Sequence, residues 1–108
     1  MHLRGRSRRL GDVVVVELDG DADLAAVPQL NQILSRTIET IDTSGIVVDL
    51  DALNVLDDAA LGQLVGAAAT ARRRDLSFAL VCTNERLLRR MRDTRLDQII
   101  DIVDRPWT

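Results

Sequence analysis

The sequence predicts an α/β fold with a central mixed, mostly parallel sheet of about four or five strands covered by about four helices. Two observations predict it. Apolar, β-branched runs alternate along the chain with stretches whose apolar residues recur at helical spacing. The runs themselves, such as Val13–Leu18 and Ile46–Leu50, are continuous enough to be buried on both faces, as strands of a parallel sheet are. Such alternation implies right-handed crossovers between neighbouring strands. The 108 residues fit one domain, 1–108, with no internal repeat, linker or low-complexity segment.

Leu3 to Leu10, interspersed with arginine, reads as an edge strand. Val13–Leu18 follows, bounded by Gly11-Asp12 and Asp19-Gly20. From there Val27, Leu30, Ile33, Leu34, Ile38 and Ile41 keep helical spacing, and Pro28 sits in a first turn that tolerates proline. Ile46–Leu50 is the next strand. Beyond it Leu61, Leu64, Val65, Ala68 and Arg72 form one helical stripe facing the sheet. Phe78–Cys82 gives a third buried strand, Leu87, Leu88 and Met91 a shorter helix started by Thr83 or Asn84, and Ile99–Val103 a last strand.

The most informative segment is Ile46–Gly66, IVVDLDALNVLDDAALGQLVG, where a strand passes through a short loop into a helix whose first turn carries Asp57 and Asp58. A helix start exposes unpaired N–H groups and the positive end of the macrodipole, so carboxylates are stabilised there. The local reading of Asp58 is a helix cap. On the far side of this helix Ala59, Gly62, Gly66, Ala69 and Thr70 turn away from the sheet. Each glycine costs about 1 kcal/mol of helix stability relative to alanine, and the smooth face that results lets another backbone approach, so it reads as a docking surface.

Composition narrows the function. The net charge is −3 and aromatic residues are confined to Phe78 and Trp107, so neither backbone neutralisation nor base stacking supports nucleic-acid binding. All 14 basic residues are arginine, which removes lysine chemistry; they cluster at Arg4–Arg9, Arg72–Arg74 and Arg86–Arg95 as solvated faces. The one cysteine, Cys82, sits in an apolar run as a buried thiol, and no segment has the roughly 18 apolar residues of a membrane span, so a soluble cytoplasmic protein is expected. Asp19, Asp21 and Asp23 alternate like the first ligands of a calcium loop, but Leu24 and Leu30 stand where its glycine and glutamate belong, so a strand-leaving turn with capping acids is the better account. There is no phosphate loop, nucleophile elbow or Cys/His metal spacing, and the single histidine is His2, in a terminus expected to be mobile. No catalysis, metal or cofactor is expected.

In order, VVVVELDGDADLAAVPQL, IVVDLDALNVLDDAALGQLVGAA and LSFALVCTNERLLRRM resemble the STAS domain of bacterial anti-sigma-factor antagonists over nearly the whole chain. Gly20, Asp21, Ala22 and Asp23, with Leu30 downstream, match the family's G-E-L-D and following leucine. Asp49-Leu50 match its D-L, Asp57 the acid before the switch, and Leu61-Gly62 the closing L-G. Asp58 falls on the phosphoacceptor serine, Ala59 on the second serine and Ala60 on the glycine. Arg95 replaces a glycine, and the chain stops at Arg105-Pro106-Trp107-Thr108 where many members continue into a helix.

The resemblance implies a regulatory, non-catalytic domain whose partner is an anti-sigma factor with a histidine-kinase-like ATPase fold. Serine phosphorylation at position 58 is ruled out. Asp58 instead resembles a permanent, partial phosphoserine, carrying −1 where phosphate brings about −1.5 to −2. The expected partner surface comprises the turn at Gly20, Asp21 and Asp23, the switch turn at Asn54, Asp57 and Asp58, and the face of Ala59, Gly62 and Gly66, which together could supply about 800 Å². A homodimer is also compatible with this reading. Two alternatives carry other functions: an accessory subunit of an ABC-type lipid-transport complex, and a nucleotide or small-ligand sensor, for which the acids at Asp19–Asp23 make a poor phosphate pocket.

Overall fold

The computed structural model describes residues 1–105; the expectations attached to Pro106, Trp107 and Thr108 lie outside them. Five strands form one sheet: β1 (Arg4–Leu10), β2 (Val13–Ala22), β3 (Gly45–Leu56), β4 (Ser77–Val81) and β5 (Asp101–Val103). Three α-helices connect them: α1 (Val27–Thr40), α2 (Asp58–Arg73) and α3 (Glu85–Asp93). Short 3-10 turns at Leu24–Ala26 and Leu96–Gln98 complete the helical content. The mixed, mostly parallel α/β sheet read from the sequence is the sheet observed. β1 pairs antiparallel with β2 across a two-residue turn whose first residue, Gly11, has φ +59°; every later pairing is parallel.

Strand order in space follows order in sequence, β1-β2-β3-β4-β5. Each right-handed crossover therefore steps the same way and brings its helix to the same side. The main core shows the result: Val16 and Leu18 of β2, Val48 and Leu50 of β3, and Leu80 of β4 pack against Leu34, Leu64 and Met91 of the three helices. The opposite sheet face carries a separate apolar cluster of Val15, Val47 and Val81, joined by Leu10, Val13 and Val103, with no helical residue in it. Cover by helices is thus one-sided, and the continuous valine run of β2 is read correctly as apolar on both faces but serves two unequal clusters.

Several boundaries move. β2 runs on to Ala22, so the expected turn at Gly20–Asp23 is mostly strand, irregular in register, with φ +93° at Gly20. A Cβ at Gly20 would collide with the carbonyl of His2, so the N-terminal segment lies directly against this strand. Leu3 is buried and the Met1 amine pairs with Asp21 at 2.9 Å, which corrects the expectation of a mobile terminus. β3 runs on to Leu56, leaving only Asp57 between strand and helix where a turn from Asn54 was expected. Arg72 does not face the sheet; it is exposed and donates to the Ile99 carbonyl, because its long guanidinium reaches the loop before β5.

Candidate functional site

The carboxyl ends of β2 and β3 lie side by side, with Asp21 paired to Val55 and Ala22 to Leu56. The chain then leaves β3 through Asp57 into α2. The Asp57 N–H donates to the Ala22 carbonyl at 3.0 Å, and its Oδ2 accepts from the Leu24 N–H at 3.1 Å. Asp57 occupies the cap position of α2 but gives its side chain to the neighbouring 3-10 turn rather than to its own helix. This brings together two of the three segments expected to form the partner surface.

Asp58 is the first residue of α2, not its cap, and its side chain makes no capping bond. The reason is position: a residue already inside the first turn points its Cβ outward, away from the N–H groups it would have to reach. Its carboxylate is 88% exposed, and Oδ1 accepts from Arg90 Nη2 of α3 at 2.7 Å. A surface pair of this kind is worth about 0–1 kcal/mol. Its effect is electrostatic, since Arg90 neutralises part of the charge that Asp58 presents to solvent.

Asp58, Gly62 and Gly66 follow at i, i+4 and i+8, one stripe on the outer face of α2 that rises about 12 Å from first to last. A Cβ added at either glycine would meet nothing within 4 Å, so neither glycine is required by packing inside the chain. Beside Asp58 an apolar groove of about 200 Å³ opens between α2 and the loop before β5, lined by Leu61, Gly62, Val65, Leu96 and Ile99.

The acids of the β2 end are already occupied. Asp21 holds the N-terminal amine, and Asp23 accepts from the Ala26 N–H at 3.0 Å, capping the 3-10 turn as the sequence suggested for this run of acids. Asn54 is exposed, and its carbonyl accepts from Arg86 at 3.3 Å.

Sequence reasoning missed three sets of residues here. Leu24 is 71% exposed and Val55 37%, two large apolar side chains flanking Asp57 where water should be disfavoured. Arg90, which meets Asp58 across 32 positions of sequence, was legible only as part of a basic cluster. Arg105 forks between Asp49 at 2.9 Å and Asp51 at 3.0 Å; Asp51 also accepts from the Thr83 N–H and hydroxyl. Asp49 is the one buried charged residue among those described, and nothing local in DLDAL shows that its counter-ion lies at the far end of the chain.

Burial pushes the Cys82 thiol above its ordinary pKa, against a smaller lowering effect of the Asn84 backbone, and the nearby Asp51 and Asp49 carboxylates add to the rise. Among the described residues no cluster of three or more His, Cys, Asp and Glu side chains could hold a metal ion, and no helix is long and apolar enough to cross a membrane. The strand order never reverses, so the sheet has no switch-point crevice of the kind that holds nucleotides in open α/β sheets.

Fold and site define an α/β domain that presents the exposed start of α2, near the apolar side chains of Leu24 and Val55, at the carboxyl end of its parallel strands. The chain belongs to the STAS domain family, whose family model matches residues 6–106. Among solved structures it is similar to an anti-sigma factor antagonist from Mycobacterium paratuberculosis, at 20% identity over 96% of this chain and 87% of that one, TM-score 0.81. It is likewise similar to a putative anti-sigma factor antagonist from Thermotoga maritima, at 21% identity over 94% and 87%, TM-score 0.83. A sulfate transporter family protein from Wolinella succinogenes shares the fold at 14% identity over 88% and 79%, TM-score 0.72.

Proposed function

We propose that this chain, as a single STAS domain, is a non-catalytic regulator that binds an anti-sigma factor and carries Asp58 as a fixed charge in place of a switchable phosphoserine. The observation that carries the reading is the exposed Asp58 carboxylate on the first residue of α2, with Leu24 and Val55 exposed beside it. Apolar side chains supply contact area, and the bare stripe through Gly62 and Gly66 admits a partner backbone. The carboxylate then sets how well that partner is tolerated. The surface differs from the sequence-based list in weight: Asp58, Gly62 and Gly66 stay at its centre, Leu24 and Val55 join them, and Asp21 and Asp23 support it from within.

Immobilised protein exposed to a lysate of its native host, followed by mass spectrometry, tests the reading. It predicts retention of an anti-sigma factor with an ATPase fold by the native chain and its loss with Leu24→Asp, a substitution at an exposed position. Retention of transporter subunits instead would support the second reading, an accessory role in transport, which the likeness to a transporter family protein favours.

A further inference from the structure

We propose that the outer edge of β1 receives an extended acidic segment of another protein as an added strand. This inference stands apart from the α2 surface and does not depend on it. β1 lies at the end of the sheet, so one side of its backbone has no strand partner among the described residues. Natural sheets shorten, cover or charge such an edge; this one is seven residues long, all exposed but the last, and its charge turns away strands of like sign while admitting an acidic one.

Its chemistry selects the partner. The sequence RGRSRRL carries four arginines and no acid, on a chain whose net charge is −3. Arg4 and Arg8 are tied to Asp19 and Glu17 of β2. Arg6 stands opposite Glu17 in the register, but that carboxylate is bonded to Arg8, and Arg6 makes no ion pair among the described residues. A second copy of the chain paired about Arg6 would set Arg6 against Arg6 and Arg4 against Arg8, and like charges directly opposite destabilise a ladder. The same arginines favour a strand whose side chains alternate between acid and aliphatic.

A trough runs beside the edge and fits that alternation. Between β1 and α1 lies a groove of about 570 Å³ with Gly5, Ser7 and Arg9 on one wall, Gln32 and Arg36 on the other, Ile33 in its floor, and Asp42 at one end, where it pairs with Arg9 at 3.5 Å. Small side chains at Gly5 and Ser7 keep it open. An added strand would lay every second side chain into this trough while its backbone bonds to β1, the division of labour seen in strand addition generally. Arg6 lies on the opposite face of β1 from Gly5 and Ser7, so the aliphatic side chains of such a strand enter the trough and its acids lie on the Arg6 face.

The test uses a synthetic peptide, acetyl-Glu-Val-Glu-Ile-Glu-Val-Glu-amide, titrated into the full-length isotope-labelled protein and followed by NMR. The expected result is saturable shifts confined to β1 and the outer face of α1, slowed amide exchange in β1, and an affinity lowered about tenfold by Arg6→Glu. Circular dichroism of that variant, altered only at an exposed position, confirms its fold. A Glu-Pro peptide of equal length and charge cannot form a ladder and should bind far more weakly. Equal binding by the proline peptide or by polyphosphate, shifts elsewhere on the surface, self-association through β1, or no binding would each overturn the proposal.

Discussion

The Asp57 carboxylate accepts the Leu24 N–H at 3.1 Å, so the residue that opens α2 also fastens the end of β2 beside it. One side chain thereby holds Leu24 and Asp58 on a common surface. Asp57→Ala leaves an amide without its acceptor and is expected to cost about 1–2 kcal/mol in urea unfolding. Asp57→Asn keeps an acceptor oxygen and should recover most of the loss.

The Arg105 fork predicts a larger effect. Removing the guanidinium strands the buried Asp49 carboxylate, and since Arg105 is itself about one-third exposed, Arg105→Ala should cost about 2 kcal/mol. Adding Asp49→Asn removes the stranded charge, so the double variant should lie closer to the native midpoint than the sum of the single changes. A simple sum would show that the two groups do not interact.

These pairs mark the limit of what the sequence discloses. The strands and helices are legible because their signals are local: β-branched runs at Val13–Leu18 and Ile46–Leu50, helical spacing from Val27, and Asn84 as a cap that accepts from the N–H groups of Arg86 and Leu87. Asp58 and the Gly62–Gly66 stripe are legible for the same reason, since a helix fixes their spacing. Arg90 against Asp58 and Arg105 against Asp49 depend on which elements the sheet brings together, and that distance in sequence leaves no pattern to read. The exposure of Leu24 has no local signal either, because a lone apolar residue before a helical stripe does not show that it opens a separate 3-10 turn.

Gly62 and Gly66 give a prediction with opposite signs in two assays. A Cβ fits without contact at both, so Gly62→Ala and Gly66→Ala should each stabilise the helix by about 0.5–1 kcal/mol in thermal or urea unfolding. Partner binding should weaken in the same variants, because the added methyl stands on the docking face. Stability gained with binding unchanged would move the interface off this stripe.

Cys82 predicts a pH dependence. Its pKa is raised in the folded state, so the native protein holds the thiol proton to higher pH than the unfolded chain does. The stabilisation is complete below the unfolded thiol's pKa and is lost as pH rises through the folded value. Cys82→Ala should therefore flatten the alkaline limb of the stability profile, measured by urea midpoints from neutral to alkaline pH. Thiol reagents should label native Cys82 far more slowly than the unfolded chain.

The Asp58 charge is the centre of the functional account, and titration calorimetry against the anti-sigma factor identified from the host tests it most directly. The surface pair with Arg90 contributes little to folding, so variants at both positions should remain native and report on binding alone. The account predicts that Asp58→Ser binds more tightly than the native chain and that Arg90→Ala, which unmasks the carboxylate, binds more weakly. Unchanged or weaker binding by Asp58→Ser would contradict it, since a fixed negative group could not then be what holds the partner off.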